Sequence, residues 1–438
     1  MRYYIGMKKF LTARITVLVL FLLLAVSLCL TLAIPQQSVG APVPSLFPGS
    51  PFLAAVVHRA GLDHVFSTWW FLMVAGLILL SLSCSTFDQY RLARMRTVAE
   101  GRLRYAEEAP LAVAPADFRR LIRRWGYLPI GTAEGGRYVK SPWGYWGNFL
   151  LHLGLACAAL FALVYVATEH RLAVRVIAGE ETRLTPETAA ERKGVLASRL
   201  PLPAAIRLGE LEPAFWENDQ LRELSSTGTF RYAGGGGEPY RIGVNDKLNY
   251  RGMIVYQKST FGTAFYLDFT DVAGRPFKEL FLLPQPPRRD RPGYADMTVG
   301  GGSYTLRGKY LADASRQSVL PRDPVLTLRL MGGGELLGEV SLKTGESGEL
   351  GPLRVTLRKT AWWTEYLIEG SRGVAGIFTG FALILLGVLL TYFSVPRVVT
   401  IAGEEGDLRV AWQSARFNDF FRAERDRLFA AARGEEHA

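Results

Sequence analysis

Four long blocks of uncharged, apolar sequence constrain this chain more than anything else in it. Ile15 to Ile34 (ITVLVLFLLLAVSLCLTLAI) and Thr68 to Thr86 (TWWFLMVAGLILLSLSCST) carry no charge, Gly147 to Thr168 is broken only by His152, and Val374 to Ser394 repeats the pattern. At ~1.5 Å of rise per residue each block reaches across the ~30 Å hydrocarbon core of a bilayer, so transmembrane helices are predicted over 15–34, 68–86, 147–168 and 374–394. The first block admits a second reading, a cleaved signal peptide, because Arg2, Lys8, Lys9 and Arg14 precede it. Its apolar run exceeds the roughly 7–15 residues of a signal-peptide core, which favours retention.

The basic residues orient these helices. Four precede the first block, eleven lie between the second and third, and seven follow the fourth, against Arg59 alone between the first and second. By the positive-inside rule both termini and the middle connection are cytoplasmic. The expected order is then a cytoplasmic N-terminus (1–14), an outer loop with an amphipathic segment (35–67), a cytoplasmic basic loop (87–146), an extracytoplasmic β-rich domain (169–373) and a cytoplasmic tail (395–438). The outer segment is nearly balanced, with 28 Lys/Arg and 25 Asp/Glu, so most of the net charge of +11 lies on the cytoplasmic side. The basicity reports membrane sidedness and gives no ground for nucleic-acid binding. The fold class expected is a multi-pass protein of the cell membrane: four transmembrane α-helices, with a large extracytoplasmic antiparallel β domain between the third and fourth.

In that outer domain alternation marks strands at Leu172 to Ile177, Met253 to Gln257, Phe265 to Phe269, Glu279 to Leu283 and Arg354 to Arg358. Val325 to Leu330 and Glu335 to Leu342 flank Gly332, Gly333 and Gly334, a hairpin signature, and turns are expected at Gly234 to Gly237 and Gly300 to Gly302. On the cytoplasmic side Phe118, Leu121, Ile122 and Trp125 form one apolar helix face with a basic back, expected along the inner membrane surface. The tail carries Phe417, Phe420, Phe421, Leu428 and Phe429; docking onto the protein's own inner loop and docking onto a partner are both open.

Chemistry-bearing residues are few. All three cysteines, Cys29, Cys84 and Cys157, fall in apolar blocks, so the outer domain has no thiol for reduction or exchange. No Walker motif, HExxH, GxSxG or CxxC occurs, which argues against a self-sufficient enzyme of a familiar kind. Of five histidines, His152 sits inside the third block, where an ionisable group is costly unless it faces protein, a pore or a ligand. Two readings stand: a buried hydrogen-bonded imidazole, or an axial ligand to haem iron, with Asn148 four residues earlier on the same face able to orient the ring. His58, His64 and His170 fit no zinc spacing, and His437 reads as solvated; the Trp69–Trp70 pair that follows His64 reads as an interfacial belt in preference to a haem-stacking surface. Gly376, Gly380 and Gly387 give the fourth block a small-residue face for close helix packing.

The order of these parts resembles the ResB family of system II cytochrome c biogenesis proteins (CcsB-type) across nearly the whole chain. Gly61 to Cys84 (GLDHVFSTWWFLMVAGLILLSLSC), Gly147 to Gly154 (GNFLLHLG), Val244 to Gly262 (VNDKLNYRGMIVYQKSTFG) and the Pro396-Arg397 exit carry the likeness. Asn245-Asp246-Lys247-Leu248 stands where the family often has Asn-x-Pro-Leu, and Ser371-Arg372-Gly373 where it has Asp-Pro-Gly. The resemblance implies a subunit of a cytochrome c synthetase that carries haem b across the membrane and presents it to apocytochrome c, working with a ResC/CcsA-type membrane protein. It makes His152 the haem iron ligand, with Arg137 and Lys140 as cations near the propionates, and implies a thioredoxin-like thiol reductant as a further partner. The alternative is a structural or sensory membrane protein whose outer β domain binds an envelope partner without haem.

Overall fold

The computed structural model of the chain describes residues 2–37, 50–98, 108–130, 136–403 and 408–435. Among these the helices are α1 (Arg2–Leu11), α2 (Arg14–Ala33), α3 (Pro51–Arg59), α4 (Trp69–Val98), α5 (Pro115–Arg124), α6 (Gly147–Thr168), α7 (Val374–Phe393) and α8 (Arg422–Arg433). Four of them, α2, α4, α6 and α7, are long and apolar enough to cross a membrane. The chain divides into two compact units, one holding the helices and the other essentially residues 167–371.

Within the helical unit α6 and α7 lie in close contact along a seam of glycines. A Cβ placed on Gly154 would stand 2.6 Å from the Gly380 carbonyl, one on Gly380 2.7 Å from the Ala158 nitrogen, and one on Gly387 2.4 Å from the Leu151 nitrogen. The small-residue face of the last apolar block therefore meets its match inside the same chain, since only glycine lets the two backbones come this near. Elsewhere in the unit α2 and α4 share a cluster of Leu20, Val74 and Ile78.

Helix α4 outruns its apolar block by three turns, to Val98, although the sequence places the end of the membrane segment at Thr86. Its polar extension is held from two sides. Lys8 of α1 pairs with Asp88, and Tyr90 packs edge-on against Trp146 and at 5.6 Å from the Phe149 ring.

The described residues of the stretch 87–146 that follow α4, read as a basic loop, fold together with those of the tail 395–438. Their five-stranded antiparallel sheet runs Glu108–Leu111, Leu408–Ser414, Arg397–Ala402, Arg137–Lys140, Leu128–Pro129. Phe118 and Ile122 of α5 are fully buried with Tyr127, Val399, Val410 and Leu428 of α8. This corrects the expectation that α5 lies on lipid: its apolar face is the core of this small domain, and the tail's Leu428 completes it. Glu424 of α8 bridges Lys140 (2.9 Å) and Arg397 (3.3 Å) on neighbouring strands. Burial holds the Tyr127 hydroxyl well above the ordinary phenol range, and Trp412 donates to it at 2.9 Å. Because Arg137–Lys140 and Arg397–Ala402 share one sheet, the chain before α6 and the chain after α7 lie on the same side of any membrane these helices cross.

The second unit is a large antiparallel β domain built on two 18-residue strands, Met253–Thr270 and Leu353–Gly370, paired along most of their length. One half of this ribbon packs with His170–Ile177, Ala205–Phe215, Leu221–Arg231 and Gly237–Gly243 around Phe230, Tyr240 and Tyr366. The other half packs with Pro276–Pro284 and the four-stranded sheet of Gly293–Val299, Tyr304–Leu311, Val325–Gly332 and Glu335–Leu342 around Phe265, Phe281 and Tyr310. The Gly332–Gly334 hairpin is present, with Gly333 and Gly334 at φ +59° and +92°, where a side chain would be strained.

Candidate functional site

The sequence of α6 sets where His152 points. Gly147, Leu151, Gly154 and Ala158 recur at three- and four-residue steps and form the stripe that meets α7. His152 follows Leu151 by one residue, about 100° round the helix, and so stands off the seam with Asn148. Its side chain is half-buried. Five residues into α6, it lies about 8 Å along the axis from the helix start.

The imidazole Nδ1 lies 2.8 Å from the backbone carbonyl of Asn148. A carbonyl only accepts, so Nδ1 carries the hydrogen and the neutral ring keeps its lone pair on Nε2. Among the described residues no further hydrogen bond is made by this ring, so Nε2 is the atom able to ligate a metal. The orienting group is thus the main chain of Asn148 and not its amide. That amide is engaged elsewhere: its Oδ1 accepts from Arg416 Nη2 at 3.3 Å. Arg416 in turn lies over the Tyr392 ring of α7 at 5.7 Å, and Tyr392 packs against Phe417. A cation from the chain beyond α7 is thereby fixed one helical turn from His152.

Arg137 and Lys140 are committed to the small domain and to α4. Arg137 is 7% exposed and donates to the Arg96 carbonyl at 3.0 Å; Lys140 pairs with Glu424 and lies 5.7 Å from the Tyr127 ring centre. The cation bonded to the first turn of α6 is instead Arg416, which sequence reasoning counted only as a topology charge. No spacing could have flagged it, because 268 positions separate it from Asn148.

The remaining histidines divide sharply. His170 is buried with both ring nitrogens engaged, Nδ1 with the Ser198 carbonyl (3.0 Å) and Nε2 with Glu191 (2.6 Å). Lys193 first, and His170 second, hold the Glu191 carboxyl below its usual range. His58 and His64 come together on Asp63, which sequence reasoning passed over. His437 lies outside the described residues. Trp69 is exposed, whereas Trp70 donates Nε1 to the Ala60 carbonyl. The three cysteines are all free and sit in α2, α4 and α6. Gln257 of the Tyr-Gln strand is buried, accepting from Ser226, whose hydroxyl also meets Tyr366 at 2.6 Å. It belongs to the β core.

The ResB-like family profile matches residues 13–285, from the start of α2 to the strand beyond Gln257. The chain belongs to this family. A cytochrome c biogenesis protein CcsB from Gloeobacter violaceus is 25% identical over 394 residues, covering 85% of this chain and 78% of its own. A cytochrome c biogenesis protein CcsB from Synechococcus sp. (strain JA-2-3B'a(2-13)) is 24% identical over 476 residues, covering 98% and 94%. A third, from Thermosynechococcus vestitus, is 25% identical over 373 residues, covering 78% and 76%. The match to the ResB-like family spans α2, α4 and α6, and with them His152 and the His58–His64 turn.

Proposed function

We propose that this chain is a membrane subunit of a system II cytochrome c biogenesis assembly, carrying haem b across the cell membrane and presenting it for attachment to apocytochrome c. The observation that carries the reading is His152: a half-buried imidazole on an apolar helix, its Nδ1 hydrogen-bonded to a backbone carbonyl and its Nε2 without a hydrogen bond among the described residues, about 100° round the helix from the glycine seam with α7. A hydrogen bond at one ring nitrogen is the usual way a protein sets the tautomer and basicity of a metal-ligating histidine at the other. In this reading Nε2 of His152 would ligate the haem iron, with a ResC/CcsA-type membrane protein as the partner that completes the haem site.

Arg416 supports the reading as the cation nearest in the bonding network, where a haem propionate would find a guanidinium. Arg137 and Lys140 then act one step back, steadying the domain that carries Arg416. By the positive-inside rule the small domain is cytoplasmic and the β domain, inserted between α6 and α7, is extracytoplasmic. Since the β domain contains no cysteine, thiols of apocytochrome c are reduced by a separate thioredoxin-like protein. The chain contributes haem binding and positioning, and the thioether-forming step is completed with its partner.

The test is to co-express the chain with its membrane partner, purify the pair and compare absorbance spectra of wild type and His152→Ala. The expected result is a Soret band in the wild type that is lost or shifted in the variant. A retained, unshifted low-spin spectrum in the variant removes the ligand assignment, and a wild-type pair without haem leaves the structural or sensory reading in its place.

A further inference from the structure

We propose that His58, Asp63 and His64 form a binding site for a divalent transition-metal ion of the zinc type. Asp63 is 2% exposed, and each of its carboxylate oxygens faces one imidazole: Oδ2 lies 2.9 Å from His58 Nδ1, and Oδ1 2.6 Å from His64 Nδ1. One ligand atom from each residue falls within 4.8 Å of the others, and the two rings stand 5.9 Å apart. Both oxygens of this deeply placed carboxylate already meet an imidazole, so the two rings and the carboxylate are gathered at one point. An ion entering among them would take the place of those hydrogen bonds with direct positive charge.

The turn that brings them together is held on both flanks. Gln36, just past α2, donates to the Leu62 carbonyl (2.9 Å) and accepts from the Val65 nitrogen (3.1 Å), so its single amide brackets Asp63 and His64. Trp70 Nε1 secures the Ala60 carbonyl at 3.1 Å. Gly61, at φ +69°, lets the chain reverse where a Cβ would stand 2.3 Å from Thr68. The ligands are therefore presented by a fixed backbone, the condition under which a small donor set binds an ion usefully.

The donor set selects the ion. Two imidazoles and one carboxylate suit zinc, nickel or copper, whereas calcium and magnesium take mostly oxygen ligands. Three protein ligands leave a coordination position open to solvent or to a further group. Each neutral ring keeps its one hydrogen on ligation, moved to the nitrogen that does not bind the ion. Drawing the three atoms to the separations a tetrahedral site needs takes a side-chain rotation of His58, which sits 63% exposed on the last turn of α3.

The test uses the full chain, purified in detergent through a non-histidine tag and stripped of metal, titrated with cobalt(II) alone and then with zinc as competitor. Wild type is expected to take up one cobalt per chain with visible ligand-field bands that zinc abolishes. His58→Ala, an exposed change that leaves the fold intact, is expected to weaken binding at least tenfold, and His58→Ala/His64→Ala to abolish the bands. His437→Ala is expected to bind as wild type does. As a second measurement, zinc raises the thermal unfolding midpoint of wild type and not of His58→Ala. Absence of cobalt binding in wild type, or binding undiminished in the double variant, overturns the proposal, and neither result touches the haem reading.

Discussion

The glycine seam between α6 and α7 makes a sharp prediction about Gly387. Replacing it with alanine adds a Cβ 2.4 Å from the Leu151 nitrogen and 2.8 Å from the Gly147 carbonyl, both main-chain atoms that cannot rotate aside. Ordinary contact begins near 3.4 Å, so the helices must part by roughly an ångström at this point. Overpacking of this kind costs about 1–3 kcal/mol, set against a gain of up to about 1 kcal/mol from alanine's better helix propensity. Gly76 of α4 separates the two terms, because a Cβ there meets nothing within 4 Å and Gly76→Ala should keep only the gain. The assay is the unfolding midpoint of the full chain in detergent, followed by tryptophan fluorescence. Gly387→Ala is expected to unfold earlier than wild type and Gly76→Ala at the same point or later. Equal midpoints for the two variants would refute the claim that backbone contact at this seam holds α6 against α7.

Two further outcomes follow from side chains outside the four membrane-length helices. In the β domain the Asp219 carboxylate is gripped by the Arg289 guanidinium, whose hydrogen bonds hold it below the usual carboxylate range. A depressed carboxyl contributes stability that is complete above its unfolded pKa of about 3.9 and lost as pH falls through the folded value. Asp219→Asn, which tolerates the φ of +69°, should therefore lower the thermal midpoint by a few degrees at neutral pH and flatten its acid limb; an unchanged pH profile counts against the pairing. In the small domain Leu428→Ala removes a fully buried side chain and should cost about 2–5 kcal/mol, read as faster amide exchange in α5 and α8, while unchanged protection there means α8 is not part of that core.

What was legible in the sequence had local physics behind it. The apolar blocks announce themselves by length alone, Gly380 and Gly387 by their spacing, and the Val325–Gly332 and Glu335–Leu342 hairpin by alternation around its glycines. The long strand Met253–Thr270 was visible only as two pieces, because a register shift between Gln257 and Phe261 breaks the alternation midway. Leu128–Pro129 has no strand signal; it exists because Arg137–Lys140 offers it an edge. The small domain was hidden for the same reason, its halves lying far apart in the chain. His152 stands out in the sequence as a candidate because an ionisable group falls inside an apolar block, while Arg416 and Asp63 do not, since each is defined by a contact and not by its own chemistry.

The sheet that joins Arg137–Lys140 to Arg397–Ala402 also governs when this protein can finish being made. About 250 residues separate the two strands, which at ribosomal speeds of ~5–20 residues per second is a wait of roughly 10–50 s with the first half unpaired. The pairing needs both edges on one side of the bilayer, so a crossing missed by either α6 or α7 alone would strand them on opposite faces. Completion of this little sheet thus ties the fold of the small domain to a matched outcome for the two helices, both across or neither.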